Sequence, residues 1–281
     1  MVVFLLQSPK TCHTPYPFFI QYTMSKNSYV LVYDSGVGGL TTLKTCIDVN
    51  KTANFIYFAD HKNCPYGTKS PETLLAIILE NIKTLRAKYH IQALVLACNT
   101  ATTACIKDLR EILDIPVIGT EPNLKSAERN GFEHTTLIAT PLTLKQNRIK
   151  SLVQSQTTKV HTLSTPRLAS MIENYILNGT VSAKSLQYYV RHKFKYTPKF
   201  HAVVLGCTHY VFIKDYLENT LGYTCFDGNL GVAQELKRVL SSINYSTTTS
   251  RLKFESSTLP LALKIKKAYL KYARQQTKLN F

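Results

Sequence analysis

Cys98 and Cys207 each close a short apolar run, Ala93-Leu94-Val95-Leu96-Ala97 before the first and Ala202-Val203-Val204-Leu205-Gly206 before the second. Small polar residues follow each thiol: Asn99-Thr100-Ala101 and Thr208-His209. A cysteine is a small hydrophobe when it merely packs and an acid or base when its surroundings favour the thiolate. Either residue alone reads as packing. A matched pair, one in each half of a chain, is equipment for moving a proton on or off either face of one carbon.

The neighbours of the thiols bear on that chemistry. A helix start after each cysteine would lower the thiol from its ordinary value of about 8.5. Asn99, Thr100 and Thr208 could donate hydrogen bonds to carboxylate oxygens. His209 lies close enough in sequence to be an acid/base partner or orienter for Cys207. A Cys/Cys/His metal site is the competing reading, but no fourth ligand has suitable spacing, so no metal is expected. Asp34-Ser35-Gly36-Val37-Gly38-Gly39-Leu40 ends a strand and opens a helix. Its glycines would let backbone N–H groups approach a ligand. A nucleotide loop is the alternative, although the third fingerprint glycine and a Walker lysine are missing. Asp34 at the strand end could accept or relay a proton. Downstream, Cys64-Pro65-Tyr66-Gly67-Thr68-Lys69-Ser70 reads as a loop above the sheet, with Cys64 an incidental thiol.

The elements that must carry these residues alternate, strand then helix. Strands are predicted over 29–33, 55–59, 94–97, 116–119, 136–139, 202–206 and 223–226. Helical periodicity occupies about 38–49, 71–89, 101–113, 142–153, 166–177, 211–220 and 230–241. The Ser/Thr-rich stretch 243–258 reads as a loop, and a basic amphipathic helix is expected over 260–276. The pattern predicts an α/β protein of two pseudosymmetric lobes, each a mostly parallel sheet flanked by helices. The active site is expected in the cleft between them, because open α/β sheets bind ligands at the carboxyl ends of their strands. The first lobe is assigned to 25–122 plus 228–281 and the second to 123–227. Residues 1–24 are a leader, expected to be disordered or not translated. Its apolar start runs into Pro9, Pro15 and Pro17, and Met24 looks a more natural beginning.

Composition narrows the classes. Seven cysteines is an odd count with no C-x-x-C pair, which argues against a disulfide framework and for a reducing cytoplasm. No apolar run is long enough to span a membrane. The formal charge of +17 in 281 residues is concentrated after residue 182. It reads as a solvated basic face that could also draw in a small acidic substrate. The bases are scattered among Tyr and Thr without a reading motif, so a nucleic-acid partner is not expected.

Six motifs in order, DSGVGGL, FADHKNCPYGTKS, VLACNTAT, IGTEP, IATPLTL and VVLGCTHY, resemble those of the glutamate racemases, in the cofactor-independent aspartate/glutamate racemase superfamily. The resemblance covers roughly residues 28–241. It implies interconversion of L- and D-glutamate for peptidoglycan precursor synthesis, with neither pyridoxal phosphate nor metal. Cys98 and Cys207 match the two acid/base thiols, Asp34 the carboxylate serving the first, and His209 with Glu173 the groups serving the second. Ser35, Pro65, Tyr66, Gly67, Asn99, Thr100, Thr140, Thr143 and Thr208 match positions that hold the amino acid. The stretch around Glu173 departs most from the pattern, and Pro141 replaces an arginine of many members. A homodimer is implied by the same resemblance. Aspartate racemases and related enzymes remain alternatives, with His209 after Cys-Thr favouring glutamate. From another class, the alternatives are a non-catalytic protein that binds acidic amino acids or a basic nucleic-acid-associated protein.

Overall fold

Every residue of the first strand, β1 (Ser28–Asp34), is buried, as a near-continuous apolar run must be when helices cover both faces of a parallel sheet. Its side chains still alternate. Val30 and Val32 enter one core cluster, while Leu31 and Tyr33 enter another on the opposite face. The computed structural model describes residues 28–274 except 244, 246, 248, 249 and 259. The expected leader and the last two residues of the predicted final helix lie outside the described residues.

After β1 come α1 (Leu40–Val49), β2 (Phe55–Ala59), α2 (Pro71–Arg86), β3 (His90–Leu96), α3 (Asn99–Ile112) and β4 (Val117–Gly119). The second half runs α4 (Leu124–Arg129), β5 (His134–Ala139), α5 (Pro141–Lys145), α6 (Asn147–Gln154), β6 (Lys159–Ser164), α7 (Leu168–Leu177) and α8 (Ala183–Phe194). It continues through β7 (Ala202–Leu205), β8 (Thr224–Phe226) and α9 (Asn229–Ser242), followed by β9 (Leu252–Ser256) and α10 (Leu261–Arg274).

The strands form two sheets, ordered β4-β3-β1-β2-β9 and β6-β5-β7-β8, and every pairing is parallel. Read in one direction, β4-β3-β1-β2 matches β8-β7-β5-β6, with β9 added at one edge. The expected two pseudosymmetric α/β lobes are therefore present. In each half the first strand has its successors on opposite sides, which creates a switch point whose carboxyl-end crevice suits a ligand. Asp34 and Cys98 stand at one such point; Thr140 and Cys207 stand at the other. One core cluster spans both halves, packing Leu40, Leu43 and Leu236 with Ile172, Val203 and Leu205.

Several elements differ from expectation. The stretch read as a loop contains β9, paired in parallel to β2. It is an edge strand with little apolar sequence, held by tertiary contacts: the Asn54 side chain accepts the Arg251 N–H at 2.8 Å and donates to the Ser28 carbonyl at 3.0 Å. β6 was not predicted, because its alternation of polar and half-buried residues is weak evidence on an edge. α4 and α8 were also unread. The helix expected over 142–153 breaks at Gln146, whose backbone is extended. The helix expected over 211–220 is instead a 3₁₀ turn at Thr208–Ile213 and a π turn at Tyr216–Thr220.

Candidate active site

Asp34 closes β1 and is fully buried. Its Oδ1 accepts the Gly36 N–H at 2.9 Å, and its Oδ2 accepts the Thr208 hydroxyl at 3.1 Å. Burial outweighs the positive charge of His209 and raises the Asp34 carboxyl to about 6.

Cys98 is the residue immediately before α3, with Ser35 Oγ at 3.7 Å from its sulfur. The expected acidification does not hold here. Burial dominates, the Asp34 charge adds to it, and the thiol is pushed up to about 12. The Ala101 N–H at the helix start acts in the expected direction and is outweighed. Charge at Cys207 also raises Cys98, so the two sulfurs lie within electrostatic reach of each other.

Cys207 precedes a 3₁₀ turn rather than an α-helix, and His209 Nδ1 stands 3.8 Å from its sulfur. On its other side His209 Nε2 meets Glu173 Oε2 at 2.6 Å, and the same oxygen accepts the Val37 N–H at 2.9 Å. Burial works against a His209 cation, yet hydrogen bonding to Cys207 and Glu173 raises its pKa well above the ordinary histidine value. Burial likewise opposes a charged Glu173, but the imidazoles of His209 and His61 hold it down to about 2.

The glycines of the β1–α1 turn make this approach possible. A Cβ on Gly36 would sit 2.7 Å from Glu173 Oε1, and one on Gly38 would sit 2.6 Å from His209 Nδ1. The space that a nucleotide phosphate would need holds a carboxylate and an imidazole from the other half of the chain. The nucleotide-loop alternative fails on that ground.

The remaining predicted residues divide. Thr100, Thr140 and Thr143 meet across the two halves, with hydroxyl separations of 3.3, 3.1 and 2.9 Å. Thr140 also caps α5 by accepting the Thr143 N–H. Asn99, the first residue of α3, is buried near Cys98. Gly67 faces Thr140, and Pro65 is exposed. The Thr208 hydroxyl, expected to donate to a ligand, donates to Asp34 instead. The Tyr66 hydroxyl is engaged too, donating to Asp60 Oδ2 at 2.6 Å and lying 2.7 Å from the Tyr33 hydroxyl.

Two residues that sequence reasoning missed belong to this constellation. His61 Nδ1 approaches Glu173 Oε1 to 3.2 Å, close enough to pair but misaligned for a hydrogen bond. Its place just past the carboxyl end of β2 was the signal available. Tyr57 donates its hydroxyl to the Gly36 carbonyl at 2.6 Å, bracing the glycine turn from below. Cys64 is a half-buried free thiol of the same loop. Burial first, then the charges of Glu173, Asp34 and Cys207, push it up to about 12.

A family model described as Asp/Glu/hydantoin racemase matches residues 43–236, a span that includes both thiols, Glu173 and His209. The chain belongs to that racemase family. Glutamate racemase of Clostridium botulinum (strain Alaska E43 / Type E3) is 39% identical over 232 residues, covering 80% of this chain and 89% of that protein. Among solved structures, Escherichia coli glutamate racemase in complex with L-glutamate and the activator UDP-MurNAc-ala has a TM-score of 0.77 at 26% identity. That likeness covers 88% of this chain and 95% of the other. Francisella tularensis glutamate racemase in complex with D-glutamate has a TM-score of 0.72 at 26% identity, covering 89% of this chain and 95% of that one. Family membership makes the chain a cofactor-independent racemase, and no described helix is long and apolar enough to cross a membrane.

Proposed function

We propose that this chain interconverts L- and D-glutamate by a two-base mechanism, with Cys98 and Cys207 on opposite faces of the α-carbon, and so supplies D-glutamate for peptidoglycan precursors. The observation that carries the reading is the equivalence of the two thiols: each follows the corresponding strand of one of two sheets with matching order. The Asp34–Thr208 bond joins the end of β1, the neighbour of β3, to the turn that follows β7. The L- and D-glutamate bound by solved relatives support the choice of substrate.

In each direction one sulfur, as thiolate, takes the α-proton; the C–H bond breaks and an S–H bond forms. The opposite thiol then gives its proton to the other face, and its own S–H bond breaks. Net charge on the pair is conserved. Asp34 exchanges a proton with Cys98, and His209, held by Glu173, does so with Cys207. The two ends differ in their charged partners, which lets one sulfur act as acid while the other acts as base. Asn99 and the N–H groups that open α3 would hold the α-carboxylate, where negative charge develops as the proton leaves.

The test is an enantiomer assay on D- and L-glutamate and D- and L-aspartate, without pyridoxal phosphate and with chelator present. Equilibration of glutamate to a racemate is expected. Turnover of aspartate alone, or a requirement for added cofactor, would overturn the reading.

A further inference from the structure

Three histidines meet at the end of the second sheet opposite the thiols. His134 opens β5, His161 lies in β6, and His201 immediately precedes β7. The six residues of β5 put this end roughly 20 Å from the cleft. The ladder brings the rings together: Thr136 pairs with His161, and Thr135 pairs with Ala202, which sets His201 beside His134.

The ring centroids form a triangle with sides of 5.6, 5.1 and 4.8 Å. A simple stack of three rings would make one of those distances about twice the others. The triangle is made of near-parallel rings, with interplanar angles of 18, 11 and 25°, and one ligand atom from each residue lies within 4.8 Å of the others. His134 Nδ1 and His161 Nε2 are 3.3 Å apart, close to the edge of a tetrahedron of about 3.3–3.4 Å around an ion with metal–nitrogen bonds of about 2.0–2.1 Å. The χ2 torsion of histidine is broad, so the half-buried His134 and His161 rings can turn out of the stack to aim their lone pairs at the point that His201 faces. His201 is already oriented. Its Nδ1 lies 3.0 Å from the buried Thr136 hydroxyl, which fixes the ring as outer partners fix metal-bound imidazoles and leaves Nε2 as the ligand atom. Phe200 packs edge-on against His134 and His201 and supplies an apolar wall. His134 and His161 are only half buried, so water can fill a fourth position.

We propose that His134, His161 and His201 bind one divalent first-row transition-metal ion of the zinc class, which ties together the amino-terminal ends of β5 and β6 and the turn into β7. Imidazole is a borderline ligand suited to zinc, copper or nickel and poorly suited to magnesium. The site is separate from the thiols, so the ion serves stability rather than proton transfer.

The experiment uses the chelator-stripped full chain carrying Cys98→Ser and Cys207→Ser, which removes competition from the cleft. Titration with zinc chloride is expected to show one equivalent bound and a rise in Tm, with no response to magnesium chloride. His161→Gln in the same background abolishes that event, and Thr136→Val weakens it by about 10–100-fold. Cobalt(II) bound to the parent protein gives visible bands of a nitrogen-ligated site that Thr136→Val perturbs, a readout available even if His161→Gln folds poorly. In the otherwise wild-type enzyme, His161→Gln leaves racemisation unchanged. Absence of zinc binding, or binding that His161→Gln does not alter, overturns the proposal.

Discussion

Thr208 gives its hydroxyl hydrogen to Asp34 over 3.1 Å, so the residue next to one thiol is bonded to the carboxylate whose charge raises the other. This contact crosses between the two halves. It also couples the charges of the two ends, since Asp34 responds to both His209 and Glu173. The halves of the site should therefore titrate jointly, and a pH profile should not be divided among single residues.

Cys98→Ser and Cys207→Ser, made singly, are expected to lower racemisation of glutamate by about 10²–10⁴-fold, the usual reach of a positioned acid or base. The intact face should retain exchange of the α-hydrogen of one enantiomer in heavy water, followed by proton NMR. Near wild-type racemisation by Cys207→Ser would end the two-thiol account.

Asp34 sits at about 6, against an ordinary 3.8. If its ionised form accepts the Cys98 proton, kcat/KM falls as pH drops through about 6. Asp34→Asn then loses both that limb and most of the activity. Stability moves the other way. A raised folded-state value favours the native state below the unfolded pKa, and the benefit is lost as pH rises through the folded one. Thermal melts at pH 8 should find Asp34→Asn more stable than the parent. A lower Tm there contradicts the burial argument.

Glu173 is depressed from 4.5 to about 2, so its contribution is present above the unfolded value and fades as pH falls toward the folded one. Glu173→Gln should be destabilised at pH 7 by no more than about 3–5 kcal/mol, since His209 can shed its proton when the partner is lost. Denaturant melts should show that deficit shrinking at pH 3. A deficit independent of pH would mean that packing, not charge, is what Glu173 contributes.

Gly38→Ala would bring a methyl group to 2.6 Å from His209 Nδ1. A loss of about 1–3 kcal/mol is expected from overpacking, together with a fall in kcat as His209 is displaced. Gly231→Ala is the control. Nothing lies within 4 Å of its Cβ, and inside α9 the change should be neutral or stabilising by about 0.5–1 kcal/mol. Equal effects at the two sites would refute the close-approach account of the glycine turn.

Local pattern made the interior strands legible. β1, β3 and β7 are apolar runs with one periodicity and one outcome, and the thiols that follow β3 and β7 were recognisable from the near-repeat of Ala93–Cys98 in Ala202–Cys207. Of the four edge strands, β4 and β8 were legible and β6 and β9 were not, because Lys159–Ser164 and Leu252–Ser256 are half-exposed and are strands only by virtue of the neighbours they pair with. His61 carried a positional hint and no more. Its meaning depends on Glu173, far away in sequence.

By itself, then, the sequence determined which groups could do chemistry and at which strand ends they stand, since residue identity and alternation are local properties. Tertiary structure decided their charge. The sequence predicted an acidified Cys98, and the folded chain pushes that thiol up to about 12 by burial and the nearby Asp34 charge. It also filled the glycine turn with Glu173 and His209 and gathered three histidines at the far end of a sheet. Desolvation and Coulomb interaction depend on which distant segments pack together, and that information exists only once the chain has closed on itself.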